Sequence, residues 1–182
     1  MTWKPPYCTA DDLDSWLSGG DPAELALAAE AASRAIDRAT GRQFGITEGP
    51  EAGHYRAEYH RGTTYVKIDD TFDTDLTVAG VDSVTLYPRN PKGKPWTQLR
   101  IAGYVGDEVT VTATWGWTAV PDAIKLATLI QAARLYERRT NTAGPLSSEK
   151  VDDVAYGYGA TTELDADVAA SIAPYRKLWA AA

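Results

Sequence analysis

Cysteine is almost missing: Cys8 stands alone in 182 residues, which excludes an internal disulfide and a cysteine-built metal site, and leaves a small half-buried side chain as its expected role. Histidine is nearly as scarce. His54 and His60 sit six apart in an expected strand and can share a face, but two histidines alone do not make a metal site. The sequence has no glycine-rich phosphate loop, no GxSxG and no HExxH. With no nucleophile–base pair in view, the chain is expected not to be an enzyme, with no catalytic residue, no metal and no cofactor. No apolar run reaches the roughly 18 residues that cross a bilayer, and MTWKPPYCTADD lacks the layout of a signal peptide. No membrane partner is therefore expected, and the chain reads as made and kept in a cytoplasm.

Positive charge is in deficit. Eighteen Lys and Arg face 25 Asp and Glu, a net charge of −7, and general nucleic-acid affinity by counterion release needs the opposite sign. An acidic surface along a channel would instead repel a polyanion and let it slide. Phenylalanine is scarce as well, with two residues against six Trp and ten Tyr; these amphipathic rings serve protein interfaces as well as cores.

The stretch Pro121 to Arg139, PDAIKLATLIQAARLYERR, predicts a buried helix around which the remainder is organised. Pro121 suits a first helical position, Asp122 the positive end of the dipole, and Arg138 and Arg139 the last turn. Its apolar residues cover most of the circumference, leaving Lys125, Thr128, Gln131 and Arg134 as a narrow polar band. Upstream, Met1 to Tyr7 reads as an extended arm. Thr9-Ala10-Asp11-Asp12 resembles a capping box for a short helix that stops at Gly19-Gly20. Asp21-Pro22-Ala23-Glu24 then opens a helix to Thr40, closed by Gly41. Its alanine-rich stripe predicts close packing on the alanines of the Pro121 helix.

From about Gly53 to Trp117 the period becomes two, most clearly in Glu108 to Trp117, where Val109, Val111, Ala113, Trp115 and Trp117 share a face. Asn90 to Pro95 reads as an exposed tip. The expected fold is α+β: a small bundle of three to four helices with an antiparallel sheet of five or six short strands inserted between the second and third main helices. One domain is expected over 1–182, with a helical frame at 9–46 and 119–182 and a β insertion at about 53–118. Thr140 to Glu163 reads as a long loop of the kind a partner orders. A last helix is expected from near Asp165 toward Trp179, kinked or split by Pro174.

Among residues that invite a chemical role, Asp69, Asp70, Asp73 and Asp75 lack the central glycine and closing glutamate of a calcium loop and read as a solvated acidic turn. Trp115 and Trp117 could line a sugar platform, although their apolar face favours a core or subunit contact. Arg34, Arg38, Arg134, Arg138 and Arg139 fall on the polar sides of neighbouring helices, where Glu30 and Glu137 offer ordinary helical pairing. With Tyr136, Tyr156, Tyr158, Tyr175 and Trp179 they form the set of candidate subunit or partner contacts.

Several segments taken together resemble one family: YCTADDL (Tyr7 to Leu13), AAEAASRAIDRATGRQF (Ala28 to Phe44), VKIDD (Val66 to Asp70), VPDAIKLATLIQAARLYERR (Val120 to Arg139), LDADV (Leu164 to Val168) and PYRK (Pro174 to Lys177). They resemble the head–tail connector, or adaptor, proteins of long-tailed double-stranded DNA phages. The resemblance implies a structural virion protein that forms a ring of about twelve copies under the portal protein. Such a ring extends the DNA channel, lets DNA pass without specific binding, and docks neck, stopper or tail-proximal proteins. It implies a place in the neck of the virion, after assembly in the host cytoplasm. Another neck protein such as a tail terminator, or a carbohydrate-binding virion module, remains as an alternative.

Overall fold

The computed structural model describes residues 4–89, 93–140, 148–151, 154–157 and 164–177; at 139, 140, 148–151 and 154–157 it describes the backbone alone. The chain forms two compact units, one of residues 42–120 with 1–4, the other of residues 5–41 with 121–182.

In the second unit the capping signals act where the sequence places them. Helix α1 (Ala10–Leu17) opens with a complete capping box: Asp12 N donates to Thr9 Oγ1 at 3.0 Å and Thr9 N to Asp12 Oδ2 at 2.9 Å. Helix α2 (Pro22–Thr40) is capped by Asp21, whose Oδ1 accepts from Ala23 N at 2.9 Å, and closes on Gly41 at φ 64°, in the left-handed region. Helix α3 spans Asp122–Thr140. Pro121 thus lies one residue outside it, its carbonyl accepting from the Ile124 and Lys125 amides. Ala28, Ala29 and Ala32 of α2 cluster with Ala132 and Ala133 of α3, beside Cys8, Leu13 and Leu25. Small side chains let the two backbones come close. The polar band expected on α3 is buried at its middle, while Lys125 and Arg134 keep solvent access at 46% and 35%. Thr128 and Gln131 are buried, while Leu126 is 47% exposed. Thr128 tolerates burial because its hydroxyl donates to Ile124 O at 2.8 Å, within its own helix.

The segment expected as a loop from Thr140 to Glu163 contains an antiparallel hairpin, β7 (Ser148–Val151) with β8 (Val154–Gly157). Helix α4 covers only Ala166–Ile172 and passes into a 3₁₀ turn, Ala173–Tyr175, at Pro174. Proline splits this element as expected, because its ring cannot continue the α-helical ladder. The extension toward Trp179 lies outside the described residues.

The first unit is a six-stranded antiparallel sheet in the order β3-β6-β1-β2-β5-β4. Its strands are β1 (Glu51–His60), β2 (Thr63–Thr71), β3 (Thr77–Val78), β4 (Thr85–Tyr87), β5 (Trp96–Ala102) and β6 (Glu108–Ala113). Strands β1 and β2 meet through Arg61-Gly62, both at positive φ (47° and 81°). That is the two-residue turn whose twist matches the hairpin. Val66, Ile68, Leu99, Ile101, Val109 and Val111 fill the inner face. Strand β6 stops at Ala113, and single bridges at Trp115 and Gly116 continue its course.

This architecture corrects the expected one. Among the described residues the fold is mixed α/β, with four helices and a six-stranded antiparallel half-barrel, and the helices are not arranged as a bundle carrying an inserted sheet. A bundle needs several helices of like length around one shared core. Only α2 and α3, with 19 residues each, have that length; α1 has eight and α4 seven. The sheet, whose central strands run to ten and nine residues, buries a core of its own.

Candidate subunit and partner interface

The candidate arginines divide according to what their own chain does with them. Arg134 and Arg138 stand four apart on α3 and therefore point to one side of it. Opposite them lie Asp165, the N-cap residue of α4, and Asp167 in its first turn. Arg134 grips Asp167 bidentately, Nη1 to Oδ1 at 2.8 Å and Nη2 to Oδ2 at 2.7 Å, and its Nη1 also donates to Asp165 Oδ2 at 2.9 Å. Arg138 Nη2 donates to Asp165 Oδ1 at 2.8 Å. The paired hydrogen bonds from Arg134 pull the Asp167 carboxyl down to about 2, and the same bonds raise the Arg134 guanidinium above its ordinary value. Fork-on-fork pairing fixes orientation as well as charge. Beneath this clamp, Val168 and Ile172 are buried. Arg134 and Arg138 thus reach partners much farther along the chain than the helical pairing expected beside Glu137.

Arg34 holds the other end of the unit. Its Nη2 donates to Pro5 O at 2.8 Å, its Nε lies 3.3 Å from Asp37 Oδ2, and its guanidinium sits 5.7 Å from the Tyr7 ring centre. Tyr7 adds its hydroxyl, donated to Asp37 Oδ1, and its amide, donated to Ser33 Oγ at 2.9 Å. The extended arm is therefore strapped to α2, and Asp37 takes the place expected of Glu30.

Arg38 remains exposed in the last turn of α2. Tyr136 is half-buried against the helical core, and Tyr175 is half-buried in the 3₁₀ turn. Arg139 belongs to α3 and Tyr156 to β8, both described by backbone alone; Tyr158 and Trp179 lie outside the described residues. The structure thus ties Arg34, Arg134 and Arg138 into the chain itself and leaves Arg38 facing solvent.

One further expectation changes. Asp70 does not belong to a solvated turn: it is 3% exposed, accepts from Arg42 Nη1 at 2.6 Å and from Trp117 Nε1 at 2.9 Å. Asp73 shapes the adjoining turn by accepting from Thr114 N at 2.9 Å, and that amide holds its carboxyl below the ordinary range. Trp115 and Trp117 are core residues, 2% and 8% exposed, so neither offers a sugar platform. Trp115 packs on Tyr55, and Trp117 on Phe44 and Phe72. His54 and His60 are both exposed on β1, and His54 Nδ1 lies 3.1 Å from Thr110 Oγ1. Among the described residues no group of three or more His, Cys, Asp or Glu is placed to hold a metal ion, and no helix is long and apolar enough to cross a membrane.

Exposed rings and aliphatics that the sequence reading passed over complete the surface. Tyr59 and Tyr104 stack edge to face at 5.6 Å and are 52% and 62% exposed. The Arg100 guanidinium carbon lies over Tyr87 at 3.8 Å from the ring centre and over Tyr65 at 5.4 Å. On the helices Trp16, Leu27 and Leu126 face solvent. The alternation of β1 assigns Tyr59 inward, and only its position at the strand end releases it. No protein-family model matches this chain, and no curated protein matches it.

Proposed function

We propose that this chain is a head–tail connector of a long-tailed double-stranded DNA phage, a structural ring protein under the portal with no chemistry of its own. The observation that carries the proposal is that the segments bearing the resemblance are joined to one another. Tyr7 of the first binds Ser33 and Asp37 of the second; Arg42 of the second binds Asp70 of the third; Arg134 and Arg138 of the fourth bind Asp165 and Asp167 of the fifth. The sixth closes on the second, Lys177 N donating to Thr40 O at 2.9 Å. Segments that bond to one another across the chain in this way are what a single scaffold requires.

In this reading, copies meet through different patches of the same chain, repeated until a ring of about twelve closes. Arg38, Trp16, Leu27 and the Tyr59–Tyr104 pair are the side chains whose exposure suits such contacts. The portal protein on one side and neck or tail-proximal proteins on the other are the partners, and DNA passes through without specific binding. The stretch from Thr140 to Glu163, with its β7–β8 hairpin, docks on a partner. A sedimentation assay with assembled portal rings tests the idea. The intact chain is expected to pellet with the rings, and a chain lacking Leu146 to Tyr158 to fold yet stay in the supernatant. Equal pelleting of both removes the role of that segment, and pelleting of neither removes the portal partner.

A further inference from the structure

The clamp between α3 and α4 is built from short segments joined by a long tether. Among the described residues, the C-terminal element is seated by groups within 164–177 that include two carboxylates, the buried Val168 and Ile172, and Lys177, itself buried, whose amide donates to Thr40 O. The chain between Thr140 and Leu164 covers residues 141–163, which fully extended reaches about 75 Å. Even with the β7–β8 hairpin kept folded, residues 141–147 and 158–163 supply a reach of about 40 Å.

We propose that residues 164–177 are an exchangeable docking segment, which leaves its own α3 and seats on α3 of a second copy when copies are crowded together. The occupant with guaranteed fit is the same segment from another chain, because it brings the same Asp165, Asp167, Val168 and Ile172 to the same Arg134 and Arg138. Contacts made in cis and in trans are then equal, and local concentration alone decides between them. A connection of this many residues gives an effective concentration on the order of 1 mM. Dilute protein is therefore closed on itself, whereas copies held side by side exchange segments and become linked in a chain of contacts. Release uncovers Val168, Ile172 and Lys177, together with a clamp whose arginine side chains are already 35% and 44% exposed.

Every group in this inference belongs to the chain itself, so its test needs no portal and its failure leaves the connector reading standing. Two full-length variants, Arg138→Cys and Asp165→Cys, are mixed and treated with a short bismaleimide; each retains the bidentate Arg134–Asp167 pair. Native Cys8 stays silent, since burial pushes its thiol up to about 11. A single chain carrying both substitutions reports closure in cis. The cis product is expected at every concentration, and the fraction in mixed heterodimer is expected to rise about fiftyfold between roughly 10 µM and 1 mM. A heterodimer yield no greater than that of either variant alone at about 1 mM, with cis closure intact, overturns the proposal. Failure of the doubly substituted chain to close in cis overturns it too, because the seat itself is then absent.

Discussion

Replacing Asp70 by alanine tests how the sheet is held at its buried end. The Asp70 carboxylate is 3% exposed and accepts from Arg42 Nη1 at 2.6 Å and Trp117 Nε1 at 2.9 Å. Its substitution leaves a guanidinium that is 16% exposed and a buried indole N–H without the acceptor they share. Removing one partner of a buried ion pair costs about 3–5 kcal/mol, and depriving a buried donor of its acceptor about 1–3 kcal/mol. The two penalties overlap in one network, so the expected loss is about 4 kcal/mol. With a urea dependence of about 2 kcal/mol/M, the unfolding midpoint should fall by roughly 2 M. Tryptophan fluorescence reports it directly, because Trp115 and Trp117 lie in this core. Asp70→Asn keeps an acceptor for the indole and loses the charge, so its midpoint should fall between those of Asp70→Ala and the parent. A midpoint shift below about 0.5 M for Asp70→Ala would refute the reasoning, since that is the scale of an exposed pair.

Three further expectations can be checked with the purified chain. Gly116 has φ 106°, and a Cβ there would lie 1.8 Å from Gly45 O, so Gly116→Ala should destabilise by about 3 kcal/mol or more in chemical denaturation. The Asp167 carboxyl is lowered from 3.8 to about 2 by Arg134. A depressed carboxylate contributes stability above its unfolded value and loses it as pH falls through the folded one. Hydrogen-exchange protection of α4 relative to α2 should thus be flat above about pH 5 and decline from pH 4 toward 2; a decline beginning near neutrality contradicts the assignment. Cys8 is buried with its thiol raised to about 11 by burial, so a colorimetric thiol reagent at pH 8 should label it only as fast as the chain opens; immediate labelling of native protein contradicts that environment.

Local order was legible in the sequence where a residue acts on its near neighbours. Asp21-Pro22 and Gly41 set both ends of α2, Thr9 and Asp12 set the start of α1, and Pro174 ended α4, because caps and proline act within one turn. The alternation of Val109, Val111 and Ala113 likewise fixed the inner face of β6. The larger architecture was misjudged because the helical stripes of α2 and α3 are long and regular, whereas β3 and β4 span two and three residues and leave almost no periodic trace. Side-chain partners far apart in sequence were equally hidden. Arg42 meets Asp70 across 28 positions and Arg134 meets Asp165 across 31, and nothing in either local pattern announces the other. Thr128 was misplaced for a different reason: a hydroxyl that bonds to its own helix is polar by composition and apolar in its demands.

Mass photometry of the chain alone and with its cognate portal ring tests the connector reading most directly. The account predicts a portal-dependent gain in mass close to one chain of 19.7 kDa per portal subunit. Portal rings of unchanged mass beside free chain would contradict it.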